Sequence, residues 1–409
     1  MTSSSPSPLL DAFEHQDKIF SSAFSILREA IAQRKIPSAS VAVTDRGRLV
    51  ALKALGRFTP QADSPEVTTS TLFDLASLTK VVATTPMAMI LYDRGLLDLD
   101  APVAAIVPEF TTDAKKDPRR HKVTLRMLLS HSSGLPAYEK LFLNFRTRDE
   151  LLHASFTTPL TADPATRAEY SDIGFIILGI ALERLAGEPL DRFCRREIFA
   201  PLAMTNTAFN PSADLRGQIP PTADERKEED DAEECGAGTP AREMPTLKEL
   251  PSVSHEPSHS PRSTFRQKII QGEVQDENAS ILGGVAAHAG LFSTAYDLAQ
   301  YAHAMLGGAY PILRPQTIAL FTRRESAPPG TSRALGWDTP SVPSQSGKYF
   351  SPQSYGHLGY TGTSLWIDPI QQLSITLLTN RTWPDSSNHA IKIVRPNFHD
   401  AIIEALKTT

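Results

Sequence analysis

The strand-like runs of this chain fall in two groups at its opposite ends, with helical periodicity between them, and this arrangement restricts the fold most. Near the N-terminus, Ser40–Thr44 and Leu49–Leu55 are apolar runs around Asp45-Arg46-Gly47, the pattern of a β-hairpin. Near the C-terminus, Ala334–Trp337, Ser364–Ile367 and Leu373–Leu378 read as strands. Asp17–Gln33 places Phe20, Phe24, Ile26, Leu27 and Ile31 at helical spacing, and a closing helix is expected over about 389–406. After Ser77 the pattern stays helical for roughly a hundred residues. The candidate helices are Leu78–Arg94, Leu125–Ser130, Arg148–Ser155, Ile173–Ala186 and Leu190–Ile198. Two groups of strands so far apart bury their apolar faces together in one sheet. The expected fold is therefore α/β (α+β): an antiparallel sheet built from both chain ends, with flanking terminal helices and an inserted all-α lobe. It is read as one domain over 10–409, with an α/β lobe at about 10–75 and 265–409 and a helical lobe at about 76–220.

The 409 residues, 41% of them hydrophobic, are ample for a large core. A net charge of −5 is small for this length and gives no basis for nucleic acid or an anionic membrane as partner. No run approaches the roughly 18 apolar residues of a membrane span. Met1–Lys18 lacks the basic start and apolar core of a secretory signal, so a cytoplasmic location is expected. Two cysteines, Cys194 and Cys235, are too few for a disulfide framework. Asp224–Glu234 holds eight acids and two bases, and Pro, Ser, His and Glu dominate from there to Arg262. Such a segment buries too little apolar area to offset its ordering entropy. Residues 229–262 are read as a disordered surface insertion with no part in chemistry.

Ser77-Leu78-Thr79-Lys80 opens a helix. Residues i and i+3 share a helix face, so the lysine amine can reach the serine hydroxyl. A serine hydroxyl is a weak nucleophile until a neighbouring base takes its proton. The tetrapeptide alone is a weak signal, equally compatible with a capping serine and a solvated lysine. Two later elements strengthen it. Tyr170-Ser171-Asp172 is the one Tyr-x-Asp or Tyr-x-Asn in the chain, and His357-Leu358-Gly359 follows in a strand-like stretch.

In this order, Ser-x-x-Lys, Tyr-x-Asp and His-x-Gly resemble the motifs of the serine β-lactamase-like, penicillin-binding-protein-like family: class C β-lactamases, DD-peptidases and family VIII esterases. Leu128–Pro136, Gly272–Ala279, Gly283–Ala295, Leu365–Pro369 and Leu378–Arg381 are similar to further parts of that family. The resemblance implies a β-lactamase/transpeptidase-like fold and a serine hydrolase working through an acyl-enzyme on esters or amides. It implies that Ser77 carries the acyl group, while Lys80 and Tyr170 relay the proton. The N–H groups of Ser77 and Tyr360 would form the oxyanion hole, with Tyr360 on the third-motif strand. Asp172, His357, Gly359 and Tyr360 would contact a small ester, amide or β-lactam substrate, with ester or small amide favoured. No cofactor and no metal are called for, and the oligomeric state is left open.

Two departures from the family pattern carry chemistry. Asp172 stands where many relatives have Asn, and a carboxylate beside Lys80 favours the charged ammonium. That reading makes Tyr170 the working base. His357 replaces the lysine of β-lactamases. At its ordinary pKa near 6.5 it would attract a substrate carboxylate more at pH 6 than at pH 8. The insertion at 229–262 is also foreign to the pattern.

Competing readings fall away on local grounds. His255-Glu256-Pro257-Ser258-His259 matches the zinc-protease pattern, but Pro257 breaks the helix that would put both histidines on one face. No Gly-x-Ser-x-Gly occurs, which excludes an α/β-hydrolase elbow. His131 and His288 are read as structural histidines in Gly-rich turns. The alternative of another class is a catalytically silent relative that binds peptidoglycan fragments or a protein.

Overall fold

The computed structural model describes residues 8–112, 117–226, 265–307 and 312–408. Cys235, the His-Glu-x-x-His match and the insertion at 229–262 lie outside the described residues. Strands β1 (Leu10–Asp11), β2 (Ser38–Asp45) and β3 (Arg48–Gly56) precede the nucleophile motif, as does β4 (Phe73–Asp74). Short strands β5 (Ala208–Phe209), β6 (Ala223–Asp224), β7 (Ile269–Ile270) and β8 (Leu291–Ser293) follow. Last come β9 (Tyr355–Leu358), β10 (Ser364–Asp368) and β11 (Leu373–Leu378).

The main sheet runs β1-β3-β2-β11-β10-β9, so strands from both chain ends meet at the β2–β11 pair. All its pairs are antiparallel except β1 with β3, which is parallel. The β2–β3 hairpin turns on Arg46 and Gly47, both at positive φ (48° and 76°), the primed turn whose twist matches the strands.

Period-2 alternation gives the sheet two apolar faces. Val41, Val43, Trp366, Ile375 and Leu377 pack against Phe20, Phe24, Leu27, Phe398 and Ile402 of the terminal helices. Ala42, Leu365, Ile367 and Leu378 face the other way, into the core shared with the helices Thr85–Asp93, Asp172–Ala186 and Ala295–Met305. Each fully buried Leu or Phe contributes about 1.5–3 kcal/mol on this accounting, so both faces matter.

Four local expectations need correction. The first helix is two pieces, Gln16–Ile19 and Ser21–Ala32, because buried Phe20 leaves helical geometry (φ −100°, ψ 24°). Ala334–Trp337 is not a strand. Gly336 at φ 84° turns the chain there, and Ala334 N–H bonds back to the Trp337 carbonyl at 2.8 Å. An apolar run buried in a bend looks like a buried strand when only hydrophobicity is read. The helical lobe also carries one short strand, β5, paired to β8. Tyr360 lies in the turn after β9, not on the strand.

The ends of the undescribed 227–264 segment converge. β6 pairs with β7, and Arg266 Nη2 meets Glu225 at 2.6 Å in a nearly buried ion pair. A segment closed at its base by its own flanks can change length at little expense, since loop-closure entropy varies slowly with length. Replacing 229–262 with a short Gly/Ser linker should therefore leave the melting temperature within a few degrees and hydrolysis of a small ester intact. A large loss against the small ester would show that the segment shapes the site.

Candidate active site

The nucleophile motif sits where distant segments cross. β4 leads into Ser77 and pairs with β8, and Leu75 N–H bonds to the Leu291 carbonyl at 2.9 Å. Ala76 then adopts a positive φ of 47°, a strained value for a residue with a Cβ. The Asp74 carboxylate holds that turn, accepting from Ala76 N–H at 2.8 Å and from Gln275 N–H at 2.6 Å. Burial raises the Asp74 pKa to about 6 against these two bonds. The helix after Ser77 opens with a π-helical stretch, Lys80–Thr84, fully buried, before continuing as Thr85–Asp93. Such wide turns cluster at functional sites.

Tyr170 is placed by what surrounds it. Ser171 caps the helix Asp172–Ala186, accepting from Gly174 N–H at 3.0 Å while its hydroxyl donates to the Pro136 carbonyl at 2.6 Å. Ser171 N–H donates to His131 Nδ1 at 3.0 Å, and the His131 ring lies 4.8 Å from the Tyr170 ring. His131 thus packs beneath the tyrosine as a neutral imidazole, its pKa driven well down by burial.

Four of the expected residues converge on one point. Ser77 Oγ is 2.6 Å from Tyr170 Oη and 3.0 Å from Lys80 Nζ. Lys80 Nζ also donates to Asp172 Oδ1 at 2.6 Å and to the His288 carbonyl at 3.0 Å. The lysine side chain is completely buried, with the Tyr170 and Phe175 rings 4.8 and 5.4 Å from its nitrogen. Asp172 pulls toward the ammonium, as its position in the sequence implies. Burial outweighs that pull and lowers the Lys80 pKa. Burial also raises Tyr170 well above the ordinary phenol value, with the Asp172 charge adding to the rise. Both shifts run in the direction of the neutral forms, phenol and amine.

His357 reaches the same cavity from β9. Its Nδ1 is 2.8 Å from the Leu358 carbonyl, so Nδ1 carries the proton and Nε2 is a buried acceptor with no partner among the described residues. Burial is the main cause that lowers its pKa to about 4, with Asp338 opposing and Lys80 and Arg333 assisting. The expected carboxylate attraction rising from pH 8 to pH 6 is therefore not available to this histidine, which is neutral across that range.

Gly359 shows why the third motif ends in glycine. A Cβ there would stand 2.0 Å from Thr363 Oγ1 and 2.5 Å from the Leu75 carbonyl. That carbonyl belongs to the nucleophile's own approach strand. Gly359→Ala should push β9 away from Ser77 and lower kcat/KM by at least about tenfold, given how steeply rate depends on sub-ångström placement. Wild-type kcat/KM with a normal melting temperature would refute this reading.

Ser77, Tyr170, Asp172, His357, Gly359 and Tyr360 border a single cavity of about 840 Å³. That volume lies in the range of small-molecule sites. Lys80 stands behind the wall, fully buried, bonded to Ser77 and Asp172 of the lining.

A Beta-lactamase family model matches residues 23–395. The chain belongs to the Beta-lactamase family. A putative D-alanyl-D-alanine carboxypeptidase of Escherichia coli (strain K12) is 34% identical over 333 residues, covering 77% of this chain and 70% of that protein. Among solved structures, EstCE1, a hydrolase with promiscuous acyltransferase activity, superposes with a TM-score of 0.70 at 21% identity, covering 95% of this chain and 99% of that one. A class C beta lactamase from Rhodobacter sphaeroides gives 0.61 at 20% identity, covering 94% and 99%. This Beta-lactamase family member is a serine hydrolase, and its fold is the mixed α/β fold of those structures. Among the described residues, no helix is long and apolar enough to cross a membrane.

Several groups that shape the site in this hydrolase carry no sequence signal of their own. Asp276 meets His288 Nε2 at 2.9 Å, which fixes the segment whose carbonyl binds Lys80. Asp74 does the same for the nucleophile turn. Arg333 lines the cavity from the bend that reads as a strand. Motif spacing exposes only partners within a turn or two, and Asp276 and Arg333 act across the fold.

Proposed function

We propose that the enzyme hydrolyses esters and small amides through an acyl-enzyme on Ser77. The observation that carries this reading is the double hydrogen bond of Ser77 Oγ to Lys80 Nζ and Tyr170 Oη at the wall of a small-molecule cavity. The lysine's partners fit a base. Asp172 and the His288 carbonyl accept two N–H bonds, which leaves the lone pair of a neutral amine directed at the Ser77 hydroxyl. Lys80 takes the hydroxyl proton as Oγ attacks the acyl carbon. The oxyanion forms near the N–H groups of Ser77 and Tyr360. Ser77 N–H makes no hydrogen bond to another described residue, which leaves it open for that role. Tyr170, held as a phenol by burial, gives its proton to the leaving oxygen or nitrogen, and the Lys80 ammonium restores it. Water then enters, and the same groups act in reverse to free the acid.

Asp172, His357, Gly359 and Tyr360 frame the substrate in this scheme, with residues 10–409 acting as one catalytic unit. His357 Nε2 accepts a hydrogen bond from a substrate N–H or O–H instead of binding a carboxylate. Treatment with a fluorophosphonate, and separately with a penicillin, tests the proposal. Intact mass should show one adduct per chain, located on Ser77 after digestion. No adduct with either reagent would favour the silent binding module.

A further inference from the structure

We propose that Asp74 is a positioning residue for the reaction, whose carboxylate aims the Ser77 backbone N–H and joins the nucleophile turn to the segment that orients Lys80; this rests on the serine-hydrolase reading above. Ala76 carries a side chain and yet stands at φ 47°, a backbone region that glycine alone enters freely. Both of its backbone polar groups are held. Its N–H donates to Asp74 Oδ1 at 2.8 Å. Its carbonyl accepts from the Thr79 N–H at 3.0 Å and from the Thr79 hydroxyl at 2.7 Å. In a planar trans peptide the carbonyl and the following N–H point opposite ways. With the Ala76 carbonyl turned to Thr79, the Ser77 N–H points away from Thr79, and it makes no hydrogen bond to another described residue. It is the open donor that a developing oxyanion needs.

The second carboxylate oxygen reaches across the fold. Asp74 Oδ2 accepts from the Gln275 N–H at 2.6 Å. That segment is fixed from both sides. Arg266 donates to the Val274 and Gln275 carbonyls at 2.7 and 2.8 Å, and Asp276 meets His288 Nε2 at 2.9 Å. The His288 carbonyl in turn accepts from Lys80 Nζ at 3.0 Å. One carboxylate therefore links the turn that carries the nucleophile to the segment that orients its base. The third motif hangs on the same backbone. The Thr361 and Thr363 hydroxyls donate to the Asp74 and Leu75 carbonyls at 2.8 and 3.0 Å. Tyr360, whose N–H is the other donor of the oxyanion hole in this scheme, immediately precedes Thr361.

Holding both arms takes an ionised group. A carboxylate accepts on each oxygen, while an amide offers one acceptor and sets its NH2 against the other backbone donor. Asp74 is buried, and burial, opposed by its two N–H bonds, raises its pKa to about 6, so it is a carboxylate at pH 8. Asp74 does not border the cavity, so it touches no substrate and acts through the turn it holds. A misaimed oxyanion donor weakens binding of the transition state and leaves binding of the ground state nearly untouched. The effect of Asp74 therefore falls on kcat and not on KM.

Kinetics on a chromogenic short-chain ester at pH 8 test the proposal. Asp74→Ala removes both arms and should lower kcat on the order of a hundredfold, the lower end of the loss seen when an oxyanion donor is removed, with KM within about threefold of wild type. Asp74→Asn keeps the volume and one arm, should lower kcat about tenfold with KM again nearly unchanged, and decides the matter if the alanine variant does not fold. Fluorophosphonate labelling of Ser77 should slow in parallel. Ala76→Gly supplies a rescue, because glycine takes the positive φ without being held there. Asp74→Ala should therefore lower kcat at least about fivefold less in an Ala76→Gly background than in the parent chain. A fall in melting temperature with kcat within about threefold of wild type would make Asp74 a structural residue and overturn the proposal. So would a loss confined to KM, or a kcat loss of equal size in both backgrounds. If wild type neither turns over an ester nor takes the fluorophosphonate, the hydrolase reading itself has failed, and the proposal with it.

Discussion

Ser77→Ala should abolish turnover of a chromogenic short-chain ester while leaving the chain folded. The substitution removes the atom that forms the covalent bond, and loss of a hydrolase nucleophile lowers kcat on the order of 10⁶-fold. The structural consequences are small by comparison. Lys80 keeps Asp172 and the His288 carbonyl, so its nitrogen is not left unpaired. Tyr170 loses its hydrogen bond to Oγ, which costs about 1 kcal/mol. The melting temperature should therefore fall by only a few degrees. The fluorophosphonate adduct should disappear along with turnover. Turnover within tenfold of wild type, or an adduct that persists, would move the chemistry to another residue.

Lys80→Ala and Tyr170→Phe should each lower kcat/KM on the order of a hundredfold or more, since each removes a proton-transfer group bonded to Ser77. The two roles separate in the pH profile. If neutral Lys80 is the base, kcat/KM falls on the acid side as the amine takes a proton. Asp172 raises the Lys80 pKa against the larger lowering by burial. Asp172→Asn removes the raising charge, so the amine stays neutral to lower pH and the acid limb shifts downward. An acid limb that stays in place or moves upward would show that Lys80 is not the titrating base. Tyr170→Phe should leave the position of that limb near wild type, because the phenol stays protonated over the working range.

What the sequence determines by itself is what depends on neighbours within a few residues. The i, i+3 spacing puts Ser77 and Lys80 on one helix face, and the structure finds them 3.0 Å apart. Arg46-Gly47 sets a primed turn, and that turn sets the pairing of Thr44 and Asp45 with Leu49 and Arg48, up to a bulge at Val43. Alternating apolar residues in β2, β10 and β11 assign each side chain to one of the two core faces. Local pattern failed where burial came from elsewhere. The run Ala334–Trp337 is apolar because the bend packs inward, not because it is a strand. The groups that finish the site come from tertiary structure alone. Asp276, the His288 carbonyl and Arg333 reach it only because β4 pairs with β8 and the bend is tied to β9. The charge states are decided there too. Nothing near His357 in sequence moves its pKa to about 4, and the largest cause of the Lys80 and Tyr170 shifts is burial, with Asp172 adding to the Tyr170 rise. Those shifts arise from desolvation by side chains far along the chain, a quantity that exists only once the core has closed.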